Sequence, residues 1–203
     1  MKQQLTTDAG IFLTHLIQSD WVKNLQTSTL AFNVAQFLPS LNHWPFLLIL
    51  SKARFNPRIS LFFSNYLVGR KIQYLWNNFS SLFFNANIGV EQGLALSFIL
   101  LALYFSSIFH IFKKRAKNLK ISVFLISFVD NSLFVSQEKT LEKLNSHLFC
   151  SYNIIYSLLN QFSLIIEYGK TEVFHFSKSH GVLNPPFLDL NYLRGPTLCS
   201  KDT

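Results

Sequence analysis

The sequence is constrained most by a predicted β-hairpin near residue 130. Two short apolar runs, Ile121–Ser127 and Ser132–Val135, are typical of β-strands, and Phe128-Val129-Asp130-Asn131 separates them. Such a hairpin places Asp130 and Asn131 side by side at its tip. Two adjacent carboxylates at a tip of this kind would bind the divalent ions used in phosphoryl transfer. In this chain the second member of the pair is an amide.

The remaining sequence alternates between strand-like and helical segments. Strands are predicted over Thr27–Gln36, Lys71–Trp76, Leu82–Ile88, Leu164–Glu167 and Glu172–Phe176, and helices over Ala9–Gln18, Leu41–Lys52, Arg58–Val68, Leu94–Lys117 and Lys139–Phe162. We expect Asn77-Asn78 to join one further strand pair and Gly169-Lys170 to join another. Because hairpins dominate and no parallel βαβ pattern recurs, the sequence predicts an α+β fold with helices packed on one face of an antiparallel sheet.

The sequence predicts one domain followed by a tail. No internal repeat, low-complexity tract or linker precedes Lys178, which places the domain at residues 5–178. Residues 179–203 contain Pro185-Pro186 and Gly195-Pro196, and these pairs favour irregular backbone.

An intracellular location, in the cytoplasm or the nucleus, is expected. The first residues, Met1-Lys2-Gln3-Gln4, are followed by neither the apolar core nor the cleavage site of a signal peptide. The two cysteines, Cys150 and Cys199, have no repeated spacing and predict neither a zinc site nor a disulfide framework.

The charge of the chain favours a polyanionic partner. A formal net charge of +8 suits nucleic acid or an anionic membrane surface. A basic soluble domain without such a partner has the same charge, so this alternative stays open. The densest basic run is Lys113, Lys114, Arg115, Lys117 and Lys120. It can contact nucleic-acid phosphates or form the solvated end of a helix.

The segment Leu94–Phe112 is the candidate for a membrane span. It carries no formal charge apart from any on His110, and Lys113-Lys114-Arg115 would mark its cytoplasmic side. Polar residues interrupt it, including Ser97 and Ser106-Ser107. A buried core helix explains these features as well, and a membrane partner is not expected.

Four short segments occur in order at the spacing of a polymerase palm. They are Ala31–Phe37, Gly89–Ser97, Phe128–Asn131 and Glu167–Glu172. The first has Asn33 where the family's strand ends in Asp, and the second is similar to G-x-x-QG-x-x-LSP with Phe98 at the Pro position. The third has FVDN in place of an F/Y-x-D-D box, and the fourth contains Lys170-Thr171. Together they resemble the reverse transcriptase of non-LTR retrotransposons, of the kind common in fungal genomes.

The resemblance implies a palm whose metal site has lost charge. It assigns the catalytic positions to Asn33, Asp130 and Asn131, which in the family hold two Mg²⁺ ions that activate the primer 3′-hydroxyl and steady the pyrophosphate. Asp130 is the one carboxylate among the three and the expected metal ligand. Because an Asn oxygen brings no charge, we expect a crippled or inactive polymerase, a pseudoenzyme.

The resemblance also implies four nucleotide-binding positions: Leu38, Gln92, Gly93 and Lys170. Gln92 and Gly93 would lie against the nucleotide and template, or form a simple turn before the next helix. Leu38 replaces an aromatic residue that blocks a ribose 2′-hydroxyl, whereas the adjacent Phe37 is expected in the core. Lys170 matches a lysine that neutralises pyrophosphate, and its alternative is an exposed turn lysine.

The partners implied by the resemblance are an RNA template, a DNA primer and a dNTP. The finger segments before Asn33 and the thumb after Gly181 are expected to be largely missing. Two other functions stay open. One is a non-catalytic nucleic-acid-binding remnant, and the other, with less support, is a small membrane protein that spans residues 94–112.

Overall fold

The structure is a computed structural model that describes residues 6–52, 55–91, 93, 95–128 and 130–178. Its α-helices are α1 (Thr6–Val22), α2 (Phe37–Ser40), α3 (His43–Lys52), α4 (Pro57–Leu67), α5 (Ala95–Asn118) and α6 (Leu141–Gln161). Its strands are β1 (Gln26–Ala35), β2 (Lys71–Ile72), β3 (Leu75–Trp76), β4 (Phe79–Ser80), β5 (Phe84–Asn85), β6 (Val123–Phe128), β7 (Asn131–Glu138), β8 (Ile165–Ile166) and β9 (Glu172–Phe176), with a 3₁₀ turn at Tyr168–Lys170. Each predicted helix is present, with its ends displaced by a few residues, and α2 is additional.

β1 is the central strand of a five-stranded antiparallel sheet in the order β6-β7-β1-β8, with β9 also paired to β1. It pairs with β7 as far as Asn33, which lies opposite Asn131. On its other edge, Val34 and Ala35 pair with β8, and Thr27–Ala31 pair with β9. The predicted pairing of the last two strands with each other is therefore wrong. The 3₁₀ turn between β8 and β9 does not reverse the direction of the chain. Both strands therefore pair with β1 in the same direction.

The hydrophobic core lies between one face of this sheet and helices α5 and α6. On β1 the side chains of Leu30, Phe32 and Val34 are buried and alternate with residues of the other face. Phe134 of β7 links the sheet to α5, since its ring centroid lies 5.3 Å from that of Phe32 and 5.0 Å from that of Phe112. Burying each such side chain stabilises the fold by about 1.5–3 kcal/mol. The predicted α+β architecture is confirmed.

Helix α5 contributes a buried stripe to this core. Leu100, Tyr104, Ile108 and Phe112 recur at the helical period and are at most 1% exposed. The helix contains a stretch, Leu96–Asn118, that is long and apolar enough to cross a membrane, and 39% of its most apolar window is buried inside the fold. The burial of this stripe inside the fold favours the core-helix alternative over the membrane span.

Helix α1 contacts the opposite face of the sheet at the end away from Asn33. The carboxylate of Asp20, which is 2% exposed, accepts hydrogen bonds from Thr27 Oγ1 at 2.6 Å and from Gln137 Nε2 at 2.7 Å. Thr27 precedes Asn33 by six positions, or roughly 20 Å along a strand. This face of the sheet is therefore covered by α1 at one end and carries Asn33 near the other.

The segment between α4 and α5 forms two short ladders where the sequence predicts one. β2 pairs with β5, and β3 pairs with β4 around the Asn77-Asn78 turn. Side chains interrupt the ladder between the two pairs, because Gln73 Nε2 donates to Ser80 Oγ at 2.7 Å and Ser81 Oγ accepts from Tyr74 N at 2.9 Å. Such side-chain bonds offer the backbone an alternative to strand pairing.

Two sequence-based expectations concern the C-terminal part of the chain. Residues 179–203, and with them Cys199, lie outside the described residues, so the irregular tail and the domain limits stay predictions. Cys150 lies on α6, and the expectation that the two cysteines form neither a zinc site nor a disulfide framework stays a prediction.

Candidate active site

Asn33 and the tip of the β6–β7 hairpin converge. Asn33 Nδ2 donates to Asn131 Oδ1 at 3.1 Å, and Asn131 Nδ2 donates to Asp130 Oδ1 at 3.2 Å. The backbone on both sides holds these residues, since Val34 N donates to Asp130 O at 3.0 Å. Glu167 N donates to Asn33 O at 2.8 Å. The three predicted catalytic positions thus form one hydrogen-bonded row, here called the amide row (Asn33, Asn131 and Asp130).

A pocket of about 390 Å³ opens beside the amide row. Its lining consists of Asn33, Val34, Gln36, Phe37, Leu38, Leu101, Asp130, Glu167 and Lys170. The end of β1, helix α2, helix α5, the hairpin tip and the 3₁₀ turn supply these residues. Four of the predicted site residues, Asn33, Asp130, Leu38 and Lys170, are therefore brought together from distant parts of the sequence.

Helix α2 supplies one wall of the pocket immediately after β1. Gln36 adopts left-handed backbone with φ of 44° and turns the chain from strand to helix. Phe37 is 4% exposed and stacks on Phe105 at a centroid distance of 4.6 Å, which confirms that it is a core residue. Leu38 lines the pocket, and its role in sugar selection stays a prediction.

The back of α2 is held by the segment at Gly89. Gly89 N donates to Leu41 O, and Val90 N donates to Leu38 O, both at 2.8 Å. Gly89 has φ of 83°, and an added Cβ would lie 2.6 Å from the carbonyl oxygen of Pro39. Glycine alone fits this backbone and this close approach. The first glycine of the second motif therefore positions the pocket wall.

Lys170 faces the pocket in an ion pair. Its Nζ lies 3.0 Å from Glu167 Oε2, and the two side chains are 62% and 39% exposed. The 3₁₀ turn brings them together, because residues three apart share one side of such a turn. An exposed pair of this kind contributes only about 0–1 kcal/mol, so an anionic ligand can compete for Lys170. The position agrees with the resemblance, and the role stays a prediction.

The structure does not bring Gly93 into the pocket. Gly93 is exposed, and it is not among the described residues that line the pocket. Its φ of 91° favours glycine and suits the alternative of a simple turn before α5. Gln92 lies outside the described residues.

Comparison with known proteins assigns the fold. No family model matches the chain, and no curated protein sequence matches it. Apo telomerase from Candida tropicalis, truncated from its C-terminal domain, superposes on 88% of the chain with a TM-score of 0.65 and 13% identity. Telomerase from Candida tropicalis in complex with a TWJ fragment of telomeric RNA superposes on 87% with a TM-score of 0.67 and 13% identity. The chain has the fold of reverse transcriptase-like polymerases.

The likeness covers a palm-like part of larger proteins. Telomerase from Candida albicans, also in complex with a TWJ fragment of telomeric RNA, superposes on 84% of the chain with a TM-score of 0.56 and 15% identity. The chain spans 36%, 30% and 31% of the lengths of these three telomerase chains. Sequence identities this low support a shared fold and do not assign an activity.

The donor set of this palm does not fit a pair of divalent ions. Mg²⁺ prefers anionic oxygen ligands, and the amide row offers one carboxylate, on Asp130, beside two amides. Asn131 Oδ1 and Asp130 Oδ1 already accept amide hydrogens. The other carboxylate that lines the pocket, on Glu167, pairs with Lys170. Within the described ranges, no three His, Cys, Asp or Glu side chains are grouped so that they could hold a metal ion.

The basic run lies at the opposite end of α5 from the pocket. Lys113, Lys114 and Arg115 are exposed, as are Lys117 and Lys120. Lys114 lies thirteen positions after Leu101, which corresponds to about 20 Å along a helix. None of the five forms a salt bridge with another residue in the described part of the chain. Their charge is available to an external anion.

Two residues that line the pocket, Gln36 and Leu101, are not among the predicted site residues. Gln36 is the last residue of the predicted strand Thr27–Gln36 and lies within the first motif. Its position after Asn33 could therefore have indicated that it lies near the site. Leu101 belongs to α5 and reaches the pocket only because that helix packs beside α2, where Phe105 stacks on Phe37. No local pattern reveals such a contact.

Proposed function

We propose that this chain is a reverse transcriptase-like palm of the non-LTR retrotransposon kind with impaired nucleotide addition. The amide row carries the proposal. Asn33, Asn131 and Asp130 stand together beside a pocket, as the catalytic positions of such a palm would, but two of the three side chains are uncharged and bonded to one another.

Nucleotide addition needs negative charge at this position. In polymerases the cations that offset charge on the phosphorus are held by carboxylates. Asn33 and Asn131 supply oxygen without charge, and Asp130 supplies one charge. Loss of a residue that hydrogen-bonds to a metal ligand already lowers metal affinity or activity by about 10–100-fold. Because two of the ligand positions themselves lack charge here, we expect a larger loss of activity.

Templated primer extension tests the proposal. The full chain is mixed with an RNA template, a DNA primer and dNTPs in Mg²⁺ or in Mn²⁺. We expect no extension above that of the Asp130→Ala variant. Robust incorporation by the wild-type chain that Asp130→Ala abolishes would overturn the proposal.

A second candidate function is non-catalytic nucleic-acid binding. The observation that favours it is the exposed, unpaired basic run on α5 in a chain of net charge +8. We expect binding to an RNA–DNA hybrid that weakens steeply with salt, because each neutralised phosphate releases counterions. Lys113→Ala with Lys114→Ala should weaken binding and flatten the salt slope. The matched control, Lys139→Ala with Lys143→Ala, removes the same charge from exposed positions near α6 and should leave binding unchanged.

The partners of the proposed function follow from the same family. We propose that an RNA template, a DNA primer and a dNTP bind on the side of the molecule where the pocket opens. Mg²⁺ is the cofactor of the family, and the amide row, with one carboxylate, would bind it weakly. The telomeric RNA fragment in two of the telomerase structures supports RNA as the nucleic acid to test first. An intracellular location is proposed with them.

A further inference from the structure

The segment Lys71–Asn85, here called the aromatic arm, extends from the fold between α4 and α5. It contains strands β2 to β5, and Ala86 N closes its base by donating to Arg70 O at 2.8 Å. None of its fifteen residues is buried, and all except Gln73 and Ser81 are exposed. The arm therefore has no core of its own.

The exposed surface of the aromatic arm is mostly apolar. Eight large side chains on it are 45–85% exposed: Ile72, Tyr74, Leu75, Trp76, Phe79, Leu82, Phe83 and Phe84. With about 150–250 Å² per aromatic side chain, they expose on the order of 1,000 Å². A standard protein interface takes about 800 Å² from each partner. Apolar surface of this extent on a soluble domain marks an interaction site.

The arm is too small to be stable without a covering surface. Each of its two sheets has two strands of two residues, and an isolated hairpin is at best marginally stable in water. The contacts inside the arm are mostly hydrogen bonds of Gln73, Tyr74, Ser80 and Ser81, and its ring contact is that of Tyr74 with Phe84 at 6.0 Å. The arm gains stability if its apolar side chains leave water.

The near absence of charged side chains on the aromatic arm helps to decide between a nucleic acid, a bilayer and a second copy of the chain as its partner. Residues 72–90 contain no Asp, Glu, Lys or Arg. Lys71, at the base of the arm, is the one cation that a nucleic acid laid along this surface would meet, and a single cation neutralises too few phosphates to favour nucleic acid as the occupant. A bilayer would have to accept the turn at Asn77-Asn78 with its unpaired backbone groups, which is costly in hydrocarbon. Two copies of a chain with net charge +8 repel one another, and this uncharged region adds nothing to that repulsion.

We propose that the aromatic arm is a self-association surface through which two copies of this chain form a symmetric dimer. A two-fold axis brings the same patch of both copies together and sets identical strand edges antiparallel. The two sheets of the arm each leave their outer edges unpaired within the described residues, and such edges pair readily with another chain. Apolar burial and edge pairing then act at the same surface.

Light scattering coupled to size exclusion tests the dimer on the full chain over a range of concentrations. We expect a wild-type dimer, and a monomer for Leu75→Glu with Trp76→Glu. The helical signal in circular dichroism should be unchanged, because neither residue is in the core. The control Val22→Glu with Trp44→Glu changes residues that are 84% and 70% exposed outside the arm, and it should remain dimeric. A monomeric wild type, or a dimer that the arm variant retains, would overturn the proposal.

Tryptophan fluorescence gives a second measurement that needs no charged variant in the arm. With Trp21→Phe and Trp44→Phe, Trp76 is the remaining tryptophan, and it is 76% exposed. Its emission should shift to shorter wavelength as concentration rises through the dimerisation range. Emission that stays constant while the mass doubles would place the interface elsewhere. A shift that requires added neutral phospholipid vesicles would identify a membrane as the occupant and contradict the dimer.

Discussion

Asn33 Nδ2 donates to Asn131 Oδ1 at 3.1 Å across the β1–β7 ladder, where the two residues lie directly opposite each other. Two carboxylates at these positions would repel one another unless a cation or a shared proton lay between them. Instead, the amide of Asn33 donates to that of Asn131, which in turn donates to Asp130. These hydrogen bonds join the three side chains without a cation between them.

Restoring the two carboxylates should make stability depend on divalent ions. In EDTA, Asn33→Asp with Asn131→Asp should lower the free energy of unfolding by about 1–3 kcal/mol, because three carboxylates then face one another. Adding Mg²⁺ or Mn²⁺ should recover that loss, since a ligand that binds only the folded state stabilises it. Chemical denaturation with and without the cation measures both effects.

The matched control carries the same change of charge on an exposed turn. Asn77→Asp with Asn78→Asp should show no comparable recovery with the cation, because the turn brings no third carboxylate. A wild-type chain stabilised by Mg²⁺ as strongly as the Asn33→Asp, Asn131→Asp variant would contradict the idea that the amide row is metal-independent.

Gly89 should tolerate no side chain. Gly89→Ala combines a positive φ with a Cβ 2.6 Å from Pro39 O, and we expect it to cost at least about 2 kcal/mol of stability. Gly69→Ala is the control, because Gly69 has φ of 71° but no atom within 4 Å of the added Cβ, and it should cost only about 1 kcal/mol. Denaturant titration compares the two. Equal losses would show that the contact with α2 contributes nothing.

The buried carboxylate of Asp20 should fasten α1 to the sheet. Asp20→Ala leaves the donors on Thr27 and Gln137 without their acceptor, and we expect a loss of about 2–3 kcal/mol. Glu172→Ala removes an exposed carboxylate from β9 and should change stability by less than about 0.5 kcal/mol. A loss for Asp20→Ala as small as that of the control would mean that α1 packs without this contact.

Stability should fall at mildly acidic pH because of His175. Burial lowers the pKa of His175 below its usual 6.5, and its Nδ1 is hydrogen-bonded to Ser28 Oγ at 2.8 Å. As the pH falls through 6.5, the unfolded chain takes up a proton before the folded chain does, so the free energy of unfolding decreases. His175→Gln should reduce this decrease between pH 7.5 and pH 5.5, whereas His110→Gln, at an exposed position on α5, should leave it unchanged. Identical pH profiles for wild type and His175→Gln would refute the assignment.

Much of the local structure follows from patterns that neighbouring residues share. The apolar period of α5 and the alternation along β1 are local, and both elements are where the sequence predicts them. The predicted pairing of the last two strands with each other is wrong, because the pairing depends on the direction that the chain takes after the turn between them. A 3₁₀ turn that keeps the chain direction sends both β8 and β9 to β1.

The sequence by itself determined the chemistry at the tip, since the absence of a second carboxylate beside Asp130 is visible without any structure. Only the tertiary structure decided what the amides do instead. The ladder between β1 and β7 sets Asn33 opposite Asn131 over a separation of 98 residues, and the packing of α5 brings Leu101 to the same pocket. Side-chain type is a local property of the chain, whereas contact between distant side chains depends on register and packing, which exist only in the folded molecule.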